Sequence, residues 1–230
     1  MRPMLELDKL SFSFDGKETI LSEISLHIEE GEKVGLVGAN GAGKSTLLWC
    51  ALGLLHAKGN VCLFGQKRTA ESMRCVGVVF QNPEDQLFMP SLLDDLTLPL
   101  LNRGVPRESA EASAHESLKR VGLAAISHRQ ARQLSLGQRK RAAIAAALVS
   151  SPELLIMDEP TSELDGRSRR ELAALLQSLN LTLLIASHDL AFLESFVSRV
   201  IALDQGKLVG DFAASDFFQD AALQGRLNLI

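Results

Sequence analysis

The segment Gly38-Ala39-Asn40-Gly41-Ala42-Gly43-Lys44-Ser45 has the form G-x-x-x-x-G-K-[ST]. In such a loop the glycines let the backbone turn its N–H groups toward phosphates. It follows the short apolar run Lys33–Val37, which reads as a strand. It precedes a stretch that places Leu47, Leu48, Ala51, Leu52 and Leu55 on one side at helical spacing. Strand, loop and helix are the context the motif requires, because the helix turns its positive end toward the anion. Lys44 is expected to reach the β- and γ-phosphates of a nucleotide, and Ser45 to place its hydroxyl on Mg²⁺. The loop residues Gly38, Asn40, Gly41, Ala42 and Gly43, with Thr46 just beyond, are expected to line the same phosphates. The competing reading is a glycine-rich turn with an incidental lysine, and the flanking elements speak against it.

The run Leu154-Leu155-Ile156-Met157-Asp158-Glu159 supplies a second half. An apolar strand there delivers Asp158 to the carboxyl edge of a sheet, where a phosphoryl-transfer site holds Mg²⁺ through an aspartate. Glu159 is then placed to polarise a water for in-line attack on the γ-phosphate. By itself an acidic pair after a strand is more often a plain turn or helix start. Beside a phosphate loop, the chemistry needs both residues.

The elements around these motifs alternate. Met4–Leu7, Ile24–Ile28, Val61–Phe64 and Val76–Phe80 read as strands, and so do Leu154–Met157, Thr182–Ala186 and Val200–Leu203. Helical patterns occupy about 107–121, 136–149 and 167–179. Pro90, Pro99, Gly104 and Pro106 cut the part between into short segments. The expected class is α/β, with a mostly parallel sheet covered on both faces. The stretch from about 83 to 150 is expected as a helical lobe inserted between core segments 1–82 and 151–230, within one domain of residues 1–230.

A length of 230 residues suffices for one substantial core, and 46% apolar with 23% charged residues is ordinary globular composition. A net charge of −4 argues against general nucleic-acid binding. The one dense basic cluster, Arg139-Lys140-Arg141, reads as a solvated helix face. Cys50, Cys62 and Cys75 lack metal-ligand spacing, and no signal peptide is evident at Met1-Arg2-Pro3. They are therefore expected as reduced, mostly buried thiols of a cytosolic chain. No apolar run approaches the ~20 residues that span a bilayer. The chain reads as soluble, with any membrane role supplied by a partner.

Between the two phosphate motifs lies Leu134-Ser135-Leu136-Gly137-Gln138, about 20 residues before Asp158. In this order the motifs resemble those of the ATP-binding-cassette ATPases, over nearly the whole chain. The family pattern is L-S-G-G-Q, from which Leu136 departs. The resemblance implies a P-loop core with an antiparallel N-terminal β part and the helical insertion. It also implies Mg-ATP as ligand and a head-to-tail pairing with a second ATPase subunit, identical or a sister chain. In that pairing Ser135, Gly137 and Gln138 cover the partner's ATP, and Ser135 at a helix start suits a γ-phosphate. Gln81 matches the glutamine that senses Mg²⁺ and the attacking water. Asp165, in Ser162-Glu163-Leu164-Asp165, matches an interface loop, and His188 matches the histidine that contacts the γ-phosphate. Phe14 aligns with the aromatic that stacks on adenine; core filler is the competing reading, and Phe12 is its rival for the role.

The stretch Val79-Phe80-Gln81-Asn82-Pro83-Glu84-Asp85-Gln86-Leu87-Phe88 is similar to the corresponding region of ATPases from energy-coupling-factor importers, especially their cobalt/nickel branch. That likeness implies integral membrane transport subunits as partners, a place on the cytoplasmic face of the cell membrane, and a metal ion or a vitamin such as biotin as cargo. It says little about which. The alternatives are a soluble cassette ATPase that acts in iron–sulfur cluster assembly, and a DNA-repair-type ATPase. Nothing here sustains the heptads of the coiled coil that the last usually carries.

Overall fold

The computed structural model describes residues 2–16, 18–227 and 229; Met1 and Ile230, the ends of the expected unit, lie outside them. Two long strands, β1 (Pro3–Ser13) and β2 (Thr19–Glu29), pair antiparallel. β3 (Lys33–Val37) runs into helix α1 (Lys44–Leu52). β4 (Lys58–Leu63) and β5 (Gln66–Lys67) return to the first pair and complete a four-stranded sheet in the order β2-β1-β4-β5. β6 (Val76–Val79) opens the helical stretch, which holds α2 (Leu92–Leu101), α3 (Arg107–Arg120) and α4 (Leu136–Leu148). The chain then alternates through β7 (Leu154–Asp158), α5 (Gly166–Ser178), β8 (Thr182–Ala186), α6 (Leu190–Glu194) and β9 (Arg199–Asp204). It closes with β10 (Lys207–Ala213), α7 (Ala214–Gln219) and α8 (Ala221–Arg226).

The second sheet is six-stranded, in the order β10-β9-β3-β8-β7-β6. All its pairings are parallel except β10 on β9. Successive side chains of a strand face opposite ways, and here both faces are covered. Leu155 and Met157 of β7, with Leu183 and Ile185 of β8, enter one apolar cluster. Leu154, Ile156, Leu184 and Ala186 enter the other. That is why these strands read as continuous apolar runs rather than alternating ones. The first cluster runs on without a break into the helical stretch, through Leu96 of α2, Leu118 of α3 and Ile144 of α4. The second joins the sheet to β1, β2 and α1.

Four expectations change. α1 stops at Leu52, where Gly53 takes a left-handed φ of 80° and caps it. Leu55 therefore lies past the helix and packs against the second cluster only in part. Pro99 does not break its segment but sits inside α2, near the end, forgoing one helical N–H bond. Of the free cysteines only Cys50 is buried, while Cys62 and Cys75 are intermediate. The basic cluster is not a solvated face, because Lys140 is 2% exposed.

Candidate functional site

Lys44 begins α1 directly after the glycine loop, and its side chain is buried. Nζ donates to the carbonyls of Gly38 at 2.8 Å and Ala39 at 3.2 Å, so the loop folds around its own lysine. Two glycines are required for contact reasons. A Cβ on Gly38 would lie 2.3 Å from the Leu203 carbonyl oxygen, and one on Gly43, whose φ is +101°, would lie 2.9 Å from Leu21. The loop is thus wedged against β9 and β2.

Opposite the loop, β7 ends in Asp158. Its Oδ1 accepts a hydrogen bond from Ser45 Oγ at 3.0 Å. Burial pushes the Asp158 carboxyl above its ordinary range, and the Ser45 hydroxyl pulls the other way. Glu159 follows with φ +43°, a left-handed conformation that non-glycine residues rarely adopt. Its N–H donates to the Ala186 carbonyl at 2.9 Å, which ties it to β8. Its carboxylate stands 3.6 Å from Lys44 Nζ through Oε1 and 2.9 Å from His188 Nδ1 through Oε2. The His188 N–H also reaches Oε2, at 3.4 Å. A cavity of about 490 Å³ is lined by Lys44, Ser45, Gln81, Glu159 and His188, by Asn40, Gly41, Gly43 and Thr46 of the loop region, and by Phe14 at its rim.

Phe12 and Phe14 separate clearly. Phe12 is 9% exposed and belongs to the core, whereas Phe14 is 66% exposed and meets the Phe12 ring edge-on at 4.9 Å between centroids. Ala42 is buried behind the loop, and its carbonyl accepts from the Gly206 N–H.

Ser135, Gly137, Gln138 and Asp165 do not line that cavity. Ser135 caps α4: its hydroxyl accepts from the Gln138 N–H, and the Gln138 side chain accepts from the Ser135 N–H. A Cβ on Gly137 would lie 2.8 Å from Ser168 Oγ, so this glycine lets α4 approach α5 closely. Asp165 caps α5, accepting from the N–H groups of Arg167 and Ser168. The Ser168 N–H above all holds its carboxyl below the usual range.

One residue in this neighbourhood was missed as anything but surface. Lys140 points inward beneath Gln81 and Glu159, and burial pushes its ammonium pKa down. Helical phase was the available signal: Ala143, Ile144 and Ala147, three, four and seven positions on, are all buried. Its neighbours Arg139 and Arg141 instead pair with Glu84 and Glu171.

A glycine loop between a parallel strand and a helix, facing a carboxylate pair two strands away, defines a P-loop nucleotide-binding protein. The family described as ABC transporter matches residues 21–162, and the chain belongs to it. The energy-coupling factor transporter ATP-binding protein EcfA of Methanothermobacter thermautotrophicus is 36% identical over 236 residues, covering 98% of this chain and 76% of its own length. A putative ABC transporter ATP-binding protein of Gloeobacter violaceus is 40% identical over 226 residues, covering 95% of this chain and 93% of its own. Among solved structures, cbiO1 from Clostridium perfringens, part of the ABC transporter complex cbiONQ, superposes with a TM-score of 0.86 at 28% identity. That match covers 100% of this chain and 96% of the other. Among the described residues no helix is long and apolar enough to cross a membrane.

Proposed function

We propose that this chain binds and hydrolyses ATP as the motor subunit of an energy-coupling-factor-type importer, paired with a second ATPase subunit on the cytoplasmic face of a membrane. The observation that carries the reading is the convergence of Lys44 and His188 on the Glu159 carboxylate, beside Ser45 and Asp158. In this reading Lys44 and the loop N–H groups hold the phosphates, Glu159 orients and deprotonates the attacking water, and His188 positions Glu159 and meets the γ-phosphate. Gln81 borders the same cavity and completes the water site.

Mg²⁺ fits the donor set. Ser45 and Asp158 present adjacent oxygens, and Asp158 is a buried carboxylate whose charged form burial penalises and a cation would favour. The ion would neutralise charge on the phosphates. Phe14 stacks on adenine, with its face free at the cavity rim.

The placement of Ser135, Gly137, Gln138 and Asp165 outside the cavity supports the sandwich, because these residues then serve the nucleotide held by the partner. Residues 83–150 act as the helical lobe of a single ATPase domain. The likeness to EcfA and to a cbiONQ component favours a membrane transport partner over an assembly scaffold. The cargo is then a metal ion such as cobalt or nickel, or a vitamin, recognised by the membrane subunits.

Glu159→Gln tests the reading. The variant keeps Mg-ATP affinity but releases phosphate at least ~100-fold more slowly, since an amide cannot take the proton. Parental turnover would remove Glu159 from the mechanism.

A further inference from the structure

Lys140 is among the largest fully buried side chains of the protein, and no carboxylate lies within ion-pair distance of it among the described residues. A buried ammonium is costly unless its three N–H donors are satisfied. Here each has an acceptor from a different functional segment. Nζ donates to the Gln81 carbonyl in a short hydrogen bond, to Ser162 Oγ at 3.0 Å and, more weakly, to the Glu159 carbonyl at 3.4 Å. Gln81 follows β6, Glu159 follows β7, and Ser162 lies on the turn toward Asp165. The lysine itself stands in the second turn of α4, the helix capped by Ser135.

The contact with Glu159 has a particular consequence. This residue holds a left-handed φ of +43° without being glycine. Both of its backbone polar groups are held, the N–H by the Ala186 carbonyl and the carbonyl by the Ser162 N–H at 3.2 Å together with Lys140 at 3.4 Å. A residue held through the peptides on both sides has a fixed direction for its side chain, and that direction aims the carboxylate at Lys44 and His188.

Resting on the ATPase reading above, we propose that Lys140 is a positioning residue for hydrolysis, joining the helix that begins at Ser135 to Gln81, Glu159 and Ser162 of the same subunit. Through this junction a shift of α4, whose first residues face the partner's nucleotide, is felt at the subunit's own water-activating carboxylate. The effect belongs to turnover and not to ATP affinity, because Lys140 touches none of the residues that hold phosphate or adenine.

The test measures phosphate release by the full chain together with the subunits that co-purify with it, reading kcat and KM for Mg-ATP separately. Lys140→Met lowers kcat by at least ~10-fold and leaves KM within about twofold, the scale expected when a catalytic group is displaced without loss of binding. Lys140→Arg, which keeps charge and donors, recovers part of the loss. Arg141→Met, on the same helix, changes kcat by less than about twofold. Ser162→Ala lowers kcat roughly threefold alone and adds almost nothing to Lys140→Met, since the two act through one bond. Parental kcat in Lys140→Met overturns the proposal, as does a loss that only tracks the folded fraction. If Lys140→Met does not fold, Ser162→Ala decides alone, and an unchanged kcat overturns the proposal. If Glu159→Gln also turns over normally, the ATPase site assignment fails as a whole. If Glu159→Gln is inactive while Lys140→Met matches the parent, only the role of Lys140 falls.

Discussion

Lys44 and Glu159 face each other across the site, ammonium to carboxylate, at 3.6 Å. Both side chains are less than a tenth exposed. In the proposed ATPase reading an entering γ-phosphate would compete with Glu159 for the lysine, and binding itself would free the carboxylate to take up a water. Lys44→Ala therefore has two effects. Mg-ATP affinity falls by at least ~10-fold as the phosphates lose their cation. The nucleotide-free protein also loses stability, by at most about 3 kcal/mol, because a buried carboxylate is left with less compensation. Calorimetric titration and thermal unfolding measure the two, and unchanged affinity would sink the phosphate-site assignment.

Phe14 is exposed beside a cavity and adds little to the core. Phe14→Ala weakens ATP binding by about 1 kcal/mol, the value of one aromatic stack. The melting temperature of the nucleotide-free protein stays nearly constant. A large drop in that temperature with unaltered affinity would return Phe14 to the core.

Pairing is tested through Ser135. Glu159→Gln with Mg-ATP sediments as a dimer, or as a pair with the co-purified sister ATPase, since ligand that binds only the pair shifts the equilibrium by mass action. Adding Ser135→Arg abolishes the pair while monomer affinity for Mg-ATP stays within about twofold, because Ser135 lies outside the cavity that holds Lys44. Equal dimerisation with and without Ser135→Arg would refute the head-to-tail arrangement.

Asp95 offers a pH signature. Oδ1 accepts from the Phe88 N–H at 3.0 Å and the Met89 N–H at 2.9 Å, while the buried Oδ2 has no hydrogen-bond partner. Burial raises its pKa despite those two bonds. A carboxyl raised on folding favours the fold while protonated. Its contribution is full below the unfolded value near 4 and is lost as pH rises through the folded value. Asp95→Asn lacks this term and keeps an oxygen for the two N–H groups. Urea midpoints of parent and variant should therefore diverge in the parent's disfavour as pH climbs above about 4. Parallel curves would contradict the shift.

Much of this could be read from sequence because the relevant signals are local. Lys33–Val37 and Thr182–Ala186 were bounded as they occur, since doubly buried strands are unbroken apolar runs. β10 gave no such run: it is an edge strand with no fully buried residue, and only Phe212 of its apolar side chains packs against the core. Pro99 suggested a break; it instead stands in the last turn of α2, which goes on only to Leu101 and lacks the N–H bond that this position would have made. Lys44, Asp158 and Glu159 could be picked out as a candidate site because their motifs suit one reaction, and the fold brings them together. Lys140 was not, because a run of three cations has the composition of a solvated face; only the packing of Gln81, Glu159 and Ser162 around it shows why an ammonium is tolerated there.

β7 serves two interiors at once, with Leu155 and Met157 on one side and Leu154 and Ile156 on the other. Such a strand is locked in phase. Inserting or deleting one residue before Asp158 would exchange the two sets of side chains and turn the carboxylate to the opposite face of the sheet. Substitution can tune this strand, but a change of length cannot. A change of length fits instead where the backbone is free of that constraint, such as the exposed turn at Asn102–Gly104 between α2 and α3. The site's alignment is thus kept by parity rather than by any single contact.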